Sequence, residues 1–122
     1  MRILIVDDSK PMRTLLRYLA QSFRFETAEA EDGCVALTVL QQHNDIILAL
    51  VDWEMPNMNG LEFVKAVRAN SGFDTIKLMM VTKQTSMGCV AAALAAGATD
   101  FLMKPFTQES FGDKLRLLGV VE

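Results

Sequence analysis

Histidine and cysteine are almost missing from this chain, which has His43 alone of the first and Cys34 and Cys89 of the second. The two cysteines have no metal-ligand spacing, and two are too few for the disulfide framework of a small secreted domain. Both are expected to be reduced, partly buried fillers. His43 follows Gln41 and Gln42 in a polar stretch and reads as a solvated helix-end residue rather than a catalytic base. Basic charge is also scarce. The 12 Lys and Arg against 15 Asp and Glu give a net charge of −3, the opposite of the clustered basic excess of a nucleic-acid binder. Long apolar runs are absent as well. The first one, at 3–6, is far too short for a signal segment, and nothing later has the length to cross a bilayer. Linkers, internal repeats and low-complexity stretches are missing too. The expectation is one cytoplasmic domain over 1–122, with no separate output domain and with neither nucleic acid nor membrane as a partner.

What the chain does contain is enough apolar material for a full core, 51% hydrophobic over 122 residues. It is arranged as short apolar runs alternating with longer helical patterns. The runs at 3–6, 46–51, 78–81 and 101–103 are continuous, as parallel strands buried on both faces should be. The segment 25–30 alternates apolar and polar residues, which suits a half-exposed edge strand. Between the runs lie helical stripes. Met12, Leu15, Leu16 and Leu19 repeat at i, i+3, i+4, i+7 behind a Ser9–Pro11 start signal. A shorter helix covers 35–40. Gly60, Phe63, Val64 and Val67 form another stripe, Val90, Leu94 and Gly97 lie in an alanine-rich helix, and Phe111, Leu115 and Leu118 mark the last. Strand and helix thus alternate about five times, which predicts an α/β fold with a doubly wound parallel sheet and helices on both faces. In such sheets ligands bind beyond the carboxyl ends of the strands.

Most of the suggestive chemistry lies at those ends. Asp7 and Asp8 follow the first run, Asp52 ends the third, Thr82 ends the fourth, and Lys104 ends the fifth, ahead of Pro105. One strand-end Asp is more often a helix cap or turn former than a functional group. Three carboxylates at one sheet edge are different, because their repulsion calls for a cation. Oxygen ligands without His or Cys suit Mg²⁺, which keeps several waters and accepts phosphate oxygens. Lys104 adds a point charge and Thr82 a hydroxyl, and a carboxylate is a competent nucleophile towards phosphorus. Together these residues suit phosphoryl transfer, where catalysis is mostly positioning and charge neutralisation.

The set Asp7-Asp8, Asp52 with Met55-Pro56 and Gly60, Thr82, and Lys104-Pro105-Phe106 resembles the receiver domain of bacterial two-component response regulators over nearly the whole chain. Among receivers it is most similar to the stand-alone chemotaxis type. The resemblance implies a flavodoxin-like sheet of order 2-1-3-4-5 with five helices. It implies that Asp52 accepts a phosphoryl group from the phosphohistidine of a sensor histidine kinase, so that the protein is a phosphoprotein in a signal-transduction relay. Asp8 would bind Mg²⁺ directly, Asp7 through water, and the Glu54 backbone carbonyl would complete the protein's share of the shell. Thr82 and Lys104 would hold the phosphoryl oxygens, and the Lys104–Pro105 peptide would be cis. Phe101 would turn as Thr82 moves, altering a face of the fourth helix, fifth strand and fifth helix that docks a downstream protein. The expected state is a monomer that promotes only its own phosphorylation and dephosphorylation.

Two positions depart from the family pattern. Lys83 stands where most receivers carry a small residue, and Glu54 places a carboxylate two residues after Asp52. Lys83 either attracts anionic donors and shields the acyl phosphate or points into solvent. Glu54 repels donors, reaches the cation through water or pairs with Lys83. Glu54, Lys83 and Gln84 are therefore candidates for tuning the lifetime of phospho-Asp52. Three other readings compete: a phosphorelay intermediate, a Mg²⁺-dependent aspartyl phosphotransferase or phosphatase, and a scaffold that has lost phosphorylation. Against the enzyme, Asp52-Trp53-Glu54 lacks an aspartate two residues on and no inserted cap encloses a substrate. Against the scaffold, the set of acidic, Thr and Lys positions is complete.

Overall fold

The apolar runs at 3–6, 46–51 and 78–81 form the hearts of strands covered on both faces. The run at 101–103 lies instead on the edge strand of the sheet, where Leu102 is buried and Met103 is exposed because, among the described residues, no further strand or helix covers that side. The computed structural model describes residues 1–83 and 88–121. In chain order the elements are β1 (Arg2–Val6), α1 (Lys10–Ser22), β2 (Glu26–Ala30), α2 (Gly33–Gln42), β3 (Ile46–Asp52), α3 (Gly60–Arg68), a 3₁₀ turn (Ser71–Phe73), β4 (Lys77–Lys83), α4 (Val90–Ala96), β5 (Asp100–Lys104) and α5 (Gln108–Leu117). All strand pairs are parallel, in the order β2-β1-β3-β4-β5. This is the doubly wound arrangement the resemblance implied.

Successive strand side chains point to opposite faces, so each central strand feeds two cores. Leu4, Val6, Ala49, Val51, Leu78 and Met80 pack with Ala36, Phe63, Val64, Val67 and Ala93, beneath α2, α3 and α4. Ile3, Ile5, Leu48, Leu50, Met79 and Val81 pack with Leu16, Leu19, Phe111 and Leu115, beneath α1 and α5. β2 is a half-exposed edge with only Ala30 fully buried, in keeping with its alternating sequence.

The helix ends follow local chemistry. Ser9 accepts from the Met12 amide at the start of α1, and reciprocal capping boxes open α3 (Asn59, Glu62) and α5 (Thr107, Ser110). One helix phase differs from the stripe read in the sequence, and the alanine-rich helix shows its buried face only in the structure. On α1 the buried face is Leu16, Leu19 and Ala20, while Leu15 is 44% exposed. The small Ala20 carries little periodic signal, although it fits where α1 meets the sheet. On α4 the sheet-facing residues are Val90 and Ala93, and Leu94 turns outward. Cys34 is exposed rather than a partly buried filler, because it lies on the outer side of the first turn of α2, whereas Cys89 is half-buried. His43 caps the C-terminus of α2.

Candidate functional site

Parallel strands end together, and the register fixes which residues meet. Val6 pairs with Val51, so Asp7 and Asp52, one residue on, come level on adjacent strands. Asp52 pairs with Val81, bringing Thr82 to the same edge, and Lys83 pairs with Lys104. A cleft of about 390 Å³ opens there, lined by Asp7, Asp8, Ser9, Met12, Asp52, Trp53, Glu54, Thr82, Lys83 and Lys104. Thus Asp52, Thr82 and Lys104 are the last residues of strands, or nearly so, rather than loop residues. Rigid backbone holds them in place.

Gly60 explains why the start of α3 approaches this edge so closely. Its amide donates to the Trp53 carbonyl at 2.9 Å. A Cβ on Gly60 would lie 2.6 Å from the Asp52 carbonyl oxygen and 2.8 Å from Met80 Cε. Only a residue without a side chain fits without pushing β3 aside.

One oxygen from each of Asp7, Asp8 and Asp52 lies within 4.8 Å of the others. Lys104 Nζ reaches 3.4 Å from Asp52 Oδ1 and 3.8 Å from Asp7 Oδ2. Asp52 Oδ1 also accepts the Trp53 amide at 3.0 Å, and Asp7 Oδ1 accepts the Ser9 amide at 2.8 Å. Asp7 Oδ2 is buried and has no hydrogen-bond partner among the described residues. The Lys104 ammonium therefore offsets the carboxylates only in part. Burial first, then the negative charge of Asp7, raises the Asp52 pKa from 3.8 to about 6 against the pull of Lys104. Burial likewise raises that of Asp7, opposed by the Ser9 amide and Lys104. Paired shifts of like-charged groups in a cleft make this edge the candidate functional site. An orphaned buried carboxylate oxygen in an all-oxygen donor set fits a hard divalent cation.

Thr82 is buried and its hydroxyl donates to the Lys83 carbonyl at 3.3 Å. Glu54 and Lys83 are both exposed on the rim of the cleft, and no ion pair joins them among the described residues. Gln84 lies outside the described residues. The Lys104–Pro105 peptide is cis. Phe101 stands apart from the acidic groups, half-buried on β5, with Lys114 Nζ 4.8 Å above its ring and bonded to Asp100 at 3.1 Å. One supporting residue gives no signal in the sequence. Arg13 donates to the Asp7 carbonyl at 2.7 Å and pairs with Glu29 at 3.4 Å, pinning the main chain under the acidic pair.

The family profile described as "Response regulator receiver domain" matches residues 3–116. The chain belongs to the response regulator receiver domain family. As a receiver domain it is 38% identical over 116 residues to a chemotaxis protein CheY homolog of Campylobacter jejuni, spanning 94% of this chain and 89% of that one. It is 37% identical to chemotaxis protein CheY1 of Helicobacter pylori, spanning 97% and 96%. The structure of chemotaxis protein CheY4 of Vibrio cholerae superposes with a TM-score of 0.87 at 35% identity, spanning 95% of this chain and 96% of that one. Receiver domains are a signalling family rather than a family of metabolic enzymes. Among the described residues no helix is long and apolar enough to cross a membrane.

Proposed function

We propose that this receiver domain is a cytoplasmic, phosphorylation-controlled switch of the chemotaxis type, with Asp52 as phosphoacceptor. The observation that carries the reading is the cluster at the sheet edge, where three carboxylates lie within 4.8 Å with Lys104 beside them. Asp7, Asp8, Asp52 and the Glu54 carbonyl would hold Mg²⁺, Asp7 through water. That ion supplies charge neutralisation for an incoming phosphoryl group.

The protein's own groups do the rest. An Asp52 carboxylate oxygen forms the P–O bond as the P–N bond of a kinase phosphohistidine breaks. The electron pair leaves on the imidazole nitrogen, which takes a proton from water. Lys104 stabilises the phosphoryl oxygens, and Thr82 exchanges its bond to the Lys83 carbonyl for one to those oxygens. The space Thr82 leaves admits Phe101. The face of α4, β5 and α5, where Leu94 and Met103 are exposed, is thereby altered, and a downstream protein that prefers one arrangement reads the state. Glu54 and Lys83 on the rim tune how long the acyl phosphate lasts. The domain acts as a monomer and modifies only itself.

Trp53 follows Asp52 and lines the cleft, so its fluorescence is the natural probe. Titration with Mg²⁺ and then acetyl phosphate should change it twice, with the second change lost in Asp52→Asn. Silence towards millimolar Mg²⁺ would refute the reading in favour of a scaffold, and multiple turnover of a soluble phosphoester would refute it in favour of an enzyme.

A further inference from the structure

The loop from Trp53 to Asn59 joins the phosphoacceptor strand to α3, and it carries the Glu54 carbonyl. Its ends are closed by the bond from the Gly60 amide to the Trp53 carbonyl. Among the described residues no hydrogen bond engages the Glu54 carbonyl, so its place depends on how the rest of the loop is held.

The tip of the loop is held from outside the cleft. Asn57 Nδ2 donates to Asp32 Oδ2 at 2.8 Å, across 25 residues of chain. Asp32 is 4% exposed, and its other oxygen accepts the Val35 amide at 2.9 Å as the N-cap of α2. Both carboxylate oxygens are thus committed. The Val35 amide first, then the Asn57 amide, holds the Asp32 carboxyl below its ordinary range. Asn57 itself has φ +66°, and the Met58 amide turns back to the Pro56 carbonyl at 2.6 Å. That is a strained three-residue turn, and it persists only if neighbouring structure holds it. The Met58 side chain lies against Gly33, where an added Cβ would stand 2.7 Å from Met58 Cγ. The β2–α2 corner therefore grips the loop at two adjacent residues, by a hydrogen bond and by packing.

We propose that Asp32 and Asn57 are positioning residues: their hydrogen bond holds the loop so that the Glu54 carbonyl and the Asp52 carboxylate face one cation. This rests on the cation-binding reading of the cleft and extends it to a pair outside the cleft lining. Groups that orient metal ligands without touching the metal commonly matter for affinity. The placement argument is specific to the bond, not to charge. An Asn57→Asp change adds negative charge to a loop beside a cation site, yet it sets two carboxylates against each other at Asp32.

The test is Mg²⁺ titration by Trp53 fluorescence, repeated by isothermal titration calorimetry, on the parent, Asn57→Ala, Asn57→Asp and the exchanged pair Asp32→Asn with Asn57→Asp. Asn57→Ala should raise the Mg²⁺ dissociation constant about tenfold, the low end for a support of a metal ligand. Asn57→Asp should weaken binding as much or more. The exchanged pair, which rebuilds the bond with donor and acceptor reversed, should return to within about twofold of the parent, since a bond of the same kind is restored. A purely structural role would lower the urea midpoint and leave the dissociation constant unmoved, which would overturn the proposal. So would tighter binding by Asn57→Asp. If the parent binds Mg²⁺ and the variants match it, only the positioning role falls. If the parent does not bind, the cation reading falls and takes this inference with it.

Discussion

The sharpest consequence of the acidic edge is that Asp52→Asn should stabilise the metal-free protein, and only above a defined pH. The Asp52 carboxyl is raised from 3.8 to about 6 by burial and by Asp7. A group raised on folding holds its proton more tightly in the native state. As pH rises from about 4, the unfolded chain releases that proton first. Stability present below pH 4 is therefore lost between about 4 and 6, and it stays lost above. At about 1.4 kcal/mol per tenfold change, the loss is about 3 kcal/mol. The Asp52 side chain is only 15% exposed, so solvent screening removes little of it.

Asparagine keeps the oxygen that accepts the Trp53 amide and removes the charge, and Lys104 retains Asp7 at 3.8 Å. In chelator-treated buffer near pH 8, Asp52→Asn should thus gain about 2–3 kcal/mol in urea unfolding followed by far-ultraviolet circular dichroism. In a thermal scan the gain is about 10 °C for a domain of this size. Near pH 4 the gain should vanish. Asp7 and Asp52 titrate as a pair, so the energy belongs to the cluster rather than to one residue. Equal stabilisation at pH 4 and pH 8 would mean that packing, not charge, drives it. No stabilisation at pH 8 would remove the electrostatic account of the cleft.

Three further outcomes follow from the same geometry. Lys104→Met removes the ammonium that lies 3.4 Å from Asp52, so the Asp52 titration midpoint, read from its carboxyl ¹³C shift, should move higher than in the parent; a fall would contradict the assignment. Gly60→Ala places a Cβ 2.6 Å from the Asp52 carbonyl oxygen and should cost about 1–3 kcal/mol in urea unfolding, the usual range for overpacking. It should also weaken Mg²⁺ binding, because the strain falls on the acceptor strand. Glu54→Ala and Lys83→Ala should each change the rate at which phospho-Asp52 loses its phosphoryl group, measured by fluorescence decay after removal of donor. Unchanged rates in both would discard the tuning role of the rim.

The strands were legible because parallel strands buried on two faces must be apolar without interruption, and each such run ended at a chemically distinctive residue. Asp52, Thr82 and Lys104 could be placed at one edge from that rule alone, before any pairing was known. The order of the strands was not legible in periodicity, since five equal βα units pack equally well in several orders by pattern; the family resemblance supplied it. Helix phase was legible only where large side chains mark the buried face. Ala20 and Ala93 bury fully but leave no amplitude in the pattern, which is why the stripe on the first helix takes in the exposed Leu15 and why the alanine-rich helix shows no buried face in its sequence. Least legible were contacts between distant loops. Nothing local to Asp32 or to Asn57 says that they meet, because a cap and a turn residue are each sufficient explanations on their own.

The cost of the acidic edge and the affinity of the proposed cation are linked, and the linkage can be measured without phosphorylation. A ligand at one hundred times its dissociation constant adds about 2.7 kcal/mol of stability, close to the roughly 3 kcal/mol that ionised Asp52 costs the metal-free fold. Adding Mg²⁺ at pH 8 should therefore stabilise the parent strongly and Asp52→Asn weakly, because the variant has lost a ligand along with the repulsion. The stability gap seen in chelator should narrow or close. If instead Mg²⁺ stabilised both proteins equally, the ion would be binding elsewhere. The raised pKa of Asp52 would then be a burden of burial rather than the mark of a charge-binding site.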